Sequence, residues 1–407
     1  MPVLTNIGLL AICRDEGGQG DIDAIRHAAL AWEAGRVAWV GPEAELPARF
    51  AGAERRDAGG RLVIPGLIDC HTHLAFGGWR ADEFERRLRG EDYLAIAAAG
   101  GGIAATVRAT RALSEDELLA RAAAALAGML ALGVTTVECK SGYGLDLATE
   151  LRLLRVYGRL ARRGPQRLVP TLLGAHVVPP EYRDRREAYI ALVIDEMIPA
   201  AAADQLAQCV DVFVEESAFS VEEARRILLA GRAAGLAAKV HADQLTDSGG
   251  AELAAEVGAL SADHLECVGP AGIAALAAAG IVAVSLPIAT LYLNQAPMPA
   301  RALIAAGVPV AIATDFNPGT APSWDLPLAL LLACTRQRMT PAEALKGATT
   351  YAARAVGLAR ELGSLEPGKM ADFAIIDAPD VNQWLYHFRP NACLETVIGG
   401  VTQWRVG

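Results

Sequence analysis

Between residues 62 and 315 the chain alternates short apolar runs with longer alanine-rich segments, and it does so eight times. The runs cover residues 61–73, 134–140, 168–176, 211–216, 237–243, 259–266, 281–287 and 308–315. Most are rich in Val, Ile, Leu or Thr and too short for helices, as strands buried on both faces must be. The segments between them, such as 114–132, 149–163, 221–234 and 270–279, suit helices. Ser114 followed by Glu117 is a capping-box pair that starts one of them. Strand and helix repeated eight times is the pattern of an α/β chain folded as a TIM-like (β/α)8 barrel, which builds its site at the carboxyl ends of its strands.

Both ends read differently. Residues 28–32 and 37–41 flank a turn at 33–36, and residues 363–377 add another turn and an apolar strand. Residues 395–398 and 401–406 flank Gly399-Gly400 in a hairpin pattern. The expectation is a small β-sandwich domain formed from both termini, 1–62 with 362–407, beside a barrel of 63–361. A chain of 407 residues, 53% of them hydrophobic, has the material for a core of that size.

Composition excludes several classes. Thirty-seven basic against 47 acidic residues give a net charge of −10 without any basic run, so neither nucleic acid nor a membrane surface is the expected partner. The seven cysteines are scattered, with no C-x-x-C pair, which fits a reducing, cytoplasmic setting rather than a disulfide framework. No basic stretch precedes the short apolar run 7–13, so a signal peptide is not expected. The 34 residues 267–300 carry no charge, yet Gly269-Pro270, Gly280, Pro287, Pro297 and Pro299 interrupt them. They read as a helix at 270–279 stopped by Gly280, then the seventh strand, then a loop, and not as a membrane span.

The carboxyl ends of the eight runs carry His71 and His73, Glu138 and Lys140, His176, Glu215 and Glu216, His241, Asp263 and His264, and Asp315. Five of the seven histidines stand there; His27 and His387 lie in the terminal regions and suit ordinary surface or packing roles. In His71-Thr72-His73 the two imidazoles share one face of an extended strand and can converge on an ion. Joined by His241 and Asp315, they make a set suited to zinc, iron, copper or nickel, with a position left for an activated water. Asp315 can ligate and also carry a proton to a leaving nitrogen. His264 can polarise a substrate carbonyl, while Glu138 and Lys140 pair as structural charges near the barrel mouth.

Three loops look built to hold a ligand. Residues 76–80 (FGGWR) bring Arg80 near the histidine pair, where it can take a carboxylate in bidentate fashion or pair with Asp82 or Glu83. Residues 100–102 (GGG) read as a mobile or closely packed loop, and no following Lys-Ser/Thr supports a phosphate cradle there. Residues 141–144 (SGYG) put the Tyr143 phenol at the mouth of the second strand.

These residues resemble the amidohydrolase superfamily and, within it, the imidazolonepropionase family. The resemblance runs through PGLIDCHTHLAFGGWR (65–80), GGGIAATVRATR (100–111), TTVECKSGYGL (135–145), LLGAHVVPPEY (172–182), KVHADQL (239–245) and TDFNPGTAP (314–322). It implies metal-dependent opening of 4-imidazolone-5-propanoate to N-formimino-L-glutamate, in histidine degradation, by a homodimer with one zinc or iron per subunit. It also implies His71, His73, His241 and Asp315 as metal ligands, and Arg80, Tyr143, His176, Gln244, Asn317, Gly319 and Thr320 as substrate contacts. Asp315, His264 and Gln244 form the implied catalytic set. Some relatives carry Glu where this chain has Gln244; Gln cannot titrate, so it positions substrate or water while the proton relay falls to Asp315 with His264 assisting. The competing readings are another mononuclear amidohydrolase, a cyclic amidase or a deaminase, and a non-catalytic barrel used for binding.

Overall fold

The computed structural model describes residues 1–91, 96, 100–387 and 389–407. Its strands form two separate sheets. The first takes β1 (Pro2–Ala11), β2 (Ala24–Glu33), β3 (Arg36–Pro42), β4 (Glu54–Asp57) and β5 (Leu62–Pro65) from the N-terminal part. The second takes β6 (Leu67–Asp69), β7 (Val134–Lys140), β8 (Arg167–Ala175), β9 (Cys209–Val214), β10 (Ala237–Ala242), β11 (Ser261–His264), β12 (Val282–Ser285) and β13 (Val310–Ile312). The chain then returns to the first sheet with β14 (Phe373–Ile376), β15 (Cys393–Ile398) and β16 (Val401–Arg405).

The second sheet runs in chain order from β6 to β13, each strand parallel to the next. Its two edges meet just past the strand ends. Asp315 N–H donates to His71 O (3.0 Å), His73 N–H donates to Phe316 O (2.8 Å), and Thr72 bridges Phe316 in parallel. The barrel therefore closes through the very segments that carry His71, His73 and Asp315. The helix Glu115–Ala131 begins at the expected capping box, and Leu147–Arg163 and Val221–Ala233 also stand where the pattern put them.

Two expectations change. The run 61–73 is not one strand: β5 pairs with β1 and β14 in the terminal sheet, and only β6 belongs to the barrel. Gly66 is the joint, packed so tightly that a Cβ there would lie 2.4 Å from Thr135 Oγ1. The loop expected after the seventh barrel strand contains two helices, Pro287–Leu293 and Ala300–Ala305. Pro287 opens the first of these, where its missing N–H costs nothing, and Asn294 ends it in the left-handed region. The uncharged stretch otherwise folds as expected, with Pro270–Ala279 helical and Gly280 as its left-handed stop. Among the described residues no helix is long and apolar enough to cross a membrane.

The terminal sheet runs β16-β15-β14-β5-β1-β2-β3, with β4 beside β1, so the two chain ends join through β5 and β14. Trp32 from the N-terminal part packs edge-on against Phe373, and its indole N–H donates to Gly400 O (3.1 Å) in the last hairpin. Gly399 and Gly400 both have positive φ, 57° and 75°, as a two-residue hairpin turn of this hand requires. A Cβ on Gly400 would stand 2.2 Å from the indole. Gly400→Ala is expected to lower unfolding free energy by about 1–2 kcal/mol from the left-handed conformation alone, with the indole clash adding to it. A lower urea midpoint with unchanged kcat checks this.

Candidate metal centre and substrate cavity

The barrel strands present alternate residues to the interior. On β7 these are Glu138 and Lys140; on β9, Asp211; on β10, Lys239 and His241; on β11, Ser261 and Asp263. All are almost wholly buried. Lys140 Nζ stands 2.9 Å from Glu138 Oε1, 2.7 Å from Asp211 Oδ2 and 3.7 Å from Asp263 Oδ2. Lys239 Nζ stands 3.4 Å from Asp263 Oδ2 and donates to Ala355 O (3.1 Å). Burial alone would favour the neutral amine, but Asp211, Glu138 and Asp263 outweigh it and hold Lys140 above the ordinary lysine range. Glu138 and Lys140 thus pair as expected, fully buried at the carboxyl end of β7.

The histidines stand on this layer of charge. His71 Nδ1 lies 2.7 Å from Asp263 Oδ2, and His241 Nδ1 lies 3.0 Å from Asp211 Oδ2. A carboxylate can only accept, so His71 offers its Nδ1–H to Asp263 and keeps the Nε2 lone pair for the cavity, while Asp211 stands beside His241 as an ion-pair neighbour. Among the described residues His71 Nε2 and both His241 ring nitrogens are buried without a hydrogen-bond partner. Asp315 Oδ1 lies 3.4 Å from His71 Nε2 and 3.5 Å from His73 Nε2. The ligand atoms of His71, His73 and Asp315 lie within 4.8 Å of one another, as do those of His71, His241 and His264. Burial holds His71 and His73 well below the usual imidazole range and lowers His241, the neutral state that ligation requires.

Unpaired buried lone pairs of this kind are costly unless a cation meets them, and nitrogen with carboxylate donors suits a divalent transition metal. Of the four expected ligands, His71, His73 and Asp315 form one set suited to such an ion, and His241 joins His71 and His264 in a second. His264 differs from the other imidazoles in its electrostatics. Burial pulls its pKa down, yet Glu266, whose Oε2 is 3.6 Å from His264 Nδ1, with Asp315 and Asp263 holds it above the ordinary value. Acidic neighbours that favour its protonated form suit His264 to donating a proton. Burial pushes Asp315 up to about 7, against the pull of His264. Both residues sit in the left-handed region, His264 at φ 84° and Asp315 at φ 55°. Such strain is uncommon for residues with a Cβ and is concentrated at functional sites.

A cavity of about 920 Å³ opens above the cluster, lined among others by His73, Tyr143, His176, Gln244, His264 and Asp315. Tyr143 and His176 are buried with ring centroids 5.4 Å apart. His176 Nδ1–H donates to Gly142 O (3.0 Å); burial and the neighbouring His241 push its pKa down to about 3, so it is neutral. Arg80 is also buried against the cavity, with Nε and Nη1 lacking any hydrogen-bond partner among the described residues. Its nearest acid is Glu83, at 3.9 Å, whose Oε1 is engaged by the Gly102 N–H (2.8 Å). The three-glycine loop thus closes on a carboxylate of its own chain.

The segment after β13 is arranged for support. Asn317 Oδ1 accepts from the Gly319 and Thr320 N–H groups, each at 2.8 Å, while its Nδ2 donates to Asp315 O and Thr320 Oγ1. Asn317 and Thr320 reach the cavity wall. Gly319 seats Arg80, since a Cβ there would fall 1.1 Å from Arg80 Nη2. Gln244, half-buried, lines the cavity on a loop held by Glu215, which accepts from the Leu245 N–H (2.9 Å).

Sequence reasoning passed over Asp211 and Glu150. Glu150, in the first turn of Leu147–Arg163, accepts the N–H groups of Gly142 (2.9 Å), Gly144 (2.7 Å) and Leu145 (2.8 Å) and so shapes the loop carrying Tyr143. The only signal was a carboxylate in an otherwise apolar setting. Asp211→Asn is expected to weaken divalent-metal affinity by about 10–100-fold, measured by chelator competition, with the far-ultraviolet circular dichroism unchanged.

The family model described as the amidohydrolase family matches residues 62–402. An imidazolonepropionase of Ralstonia nicotianae is 50% identical over 378 residues, covering 92% of each chain. That of Paracoccus denitrificans is 49% identical over 402 residues, covering 98% of this chain and 99% of the other. Among solved structures, a zinc-bound adenosine deaminase of Xanthomonas campestris superposes with TM-score 0.74 at 20% identity, over 98% of this chain and 92% of the other. A mutant atrazine chlorohydrolase of Arthrobacter aurescens, complexed with zinc and atraton, gives 0.76 at 17%, over 99% and 95%. At those identities the two structures speak for the fold alone.

Proposed function

The chain belongs to the imidazolonepropionases of the amidohydrolase family, and from that premise we infer that it hydrolyses the ring amide of 4-imidazolone-5-propanoate to N-formimino-L-glutamate. The observation that supports this most is one cavity holding both the histidine–aspartate cluster and the Arg80 guanidinium, whose Nε and Nη1 have no hydrogen-bond partner among the described residues. A fixed cation beside a hydrolytic centre selects an anionic substrate and presents it in one orientation.

His71, His73, His241 and Asp315 would hold one zinc or iron ion per subunit. When bound, the ion polarises the ring carbonyl and lowers the pKa of water. The protein's own groups do the rest. Arg80 takes the propanoate arm in bidentate fashion, and Tyr143 and His176 hold the ring, which converts encounter into alignment. His264, whose protonated form Glu266 favours, donates to the carbonyl oxygen as negative charge gathers there. Asp315 accepts a proton from the attacking water and delivers it to the ring nitrogen as the C–N bond breaks. Water's oxygen ends in the new carboxylate; one of its protons passes through Asp315 to the departing nitrogen, and the other is released as the carboxylic acid ionises. Gln244 positions water or substrate by hydrogen bonds alone.

The direct test is turnover of freshly generated imidazolone propanoate beside hydantoin and cytosine-type substrates, with metal content measured on the same sample. Hydrolysis of the first alone is expected; preference for either of the others would replace this reading. Asp315→Asn should remove nearly all turnover while leaving the denaturation midpoint close to wild type, and substantial residual activity would end the proposed relay. Arg80→Met should raise KM for the acid by about tenfold or more, the scale of one lost charge-assisted contact.

A further inference from the structure

The helix Ala81–Leu88 opens at Arg80 and carries arginines on two faces, and the faces are treated differently. Toward solvent, Arg86 Nη2 pairs with Glu91 Oε2 at 2.7 Å, and Arg89, just past the helix end, pairs with Glu85 at 2.6 Å. Toward the cavity stand Arg80, Phe84 and Arg87. Spacings of four and seven residues put these three on one helical face. Among the described residues neither inward arginine has a close carboxylate. Arg80 has only Glu83 at 3.9 Å, and among the described residues Arg87 has no ion pair.

Arg87 is nevertheless held. Its guanidinium lies over the Tyr292 ring, 4.8 Å from the centroid, and Phe84 stacks on that same ring at 5.2 Å. Stacking occupies the face of a guanidinium and leaves its in-plane N–H donors free. Among the described residues one of them makes a single long hydrogen bond, from Nη2 to Gly319 O at 3.4 Å. Gly319 is also the residue against which Arg80 is packed. Two oriented guanidinium groups therefore meet one glycine at the cavity wall, with Arg80 Nε and Nη1 lacking a hydrogen-bond partner among the described residues. Like charges so placed repel unless an anion joins them, and the matching anion for a planar fork is a carboxylate.

We propose that Arg87 is a second carboxylate-binding residue of this cavity, acting with Arg80 on the carboxylate arm of the incoming anion. The identity of that anion rests on the hydrolase reading above; the carboxylate site itself does not. Calorimetric titration of the metal-loaded wild type, Arg87→Met and Arg87→Lys with 3-(imidazol-4-yl)propanoate and with neutral 4-propylimidazole separates the possibilities. Arg87→Met should weaken the acid about tenfold, the scale of one charge-assisted hydrogen bond, and leave the neutral analogue within about twofold of wild type. Arg87→Lys should recover part of the loss, and the dependence of acid binding on salt should become shallower in Arg87→Met. In turnover, KM should rise in parallel while kcat holds.

Equal weakening of both analogues would mean that Arg87 only props Tyr292, and unchanged binding of the acid would mean that it takes no part; either overturns the proposal. A wild type that prefers the acid but fails to turn over imidazolone propanoate removes the hydrolase reading and leaves Arg87 in place. Normal turnover with an unchanged KM in Arg87→Met removes Arg87 and leaves the hydrolase.

Discussion

Two lysines buried in the middle of the barrel constrain everything above them. An ion stripped of water costs several kcal/mol unless it is paired and hydrogen-bonded. Lys140 and Lys239 are tolerable only because Glu138, Asp211 and Asp263 surround them. Those carboxylates have lone pairs left over: Asp263 takes the Nδ1–H of His71, and Asp211 stands 3.0 Å from His241 Nδ1. The direction in which both Nε2 atoms point is thus inherited from the charge balance beneath, and so is the ability of the cluster to receive a cation.

The cavity mouth follows a second rule: its loops are shaped by buried or half-buried polar side chains that collect backbone N–H groups. Glu150 does this for the Tyr143 loop, Glu83 for the glycine loop, Glu215 for the Gln244 loop and Asn317 for the segment behind Arg80. Irregular backbone near a binding site needs such partners, because its donors have no neighbouring strand to meet. These residues arrange the cavity without having to touch what it binds. Barrel closure adds to this, since the hydrogen bonds joining the first and last strand segments pass through His71, His73 and Asp315.

Much of this was legible in the linear pattern. Eight apolar runs gave eight barrel strands, because a strand buried on both faces must be short and continuously apolar. The Ser114 capping box and the Gly399-Gly400 turn folded as local chemistry requires. The run 61–73 misled, since β5 and β6 are both apolar and only Gly66, pressed against Thr135, divides the sheets. The segment after β12 misled for a different reason: its prolines suggested loop, yet Pro287 stands at a helix start, where proline is favoured.

The sequence by itself determined the α/β barrel with a sheet from both ends, and it gathered five histidines and Asp315 at one end of that barrel. Periodicity and residue chemistry suffice for that, because strand alternation and ligand type are local properties. Only the tertiary structure decided which carboxylate stands beside which imidazole, that acidic neighbours raise the pKa of His264 while burial lowers those of His71 and His73, and that Arg80 and Arg87 meet at Gly319. Those outcomes depend on burial and on distances between residues far apart in the chain, and no local pattern encodes either.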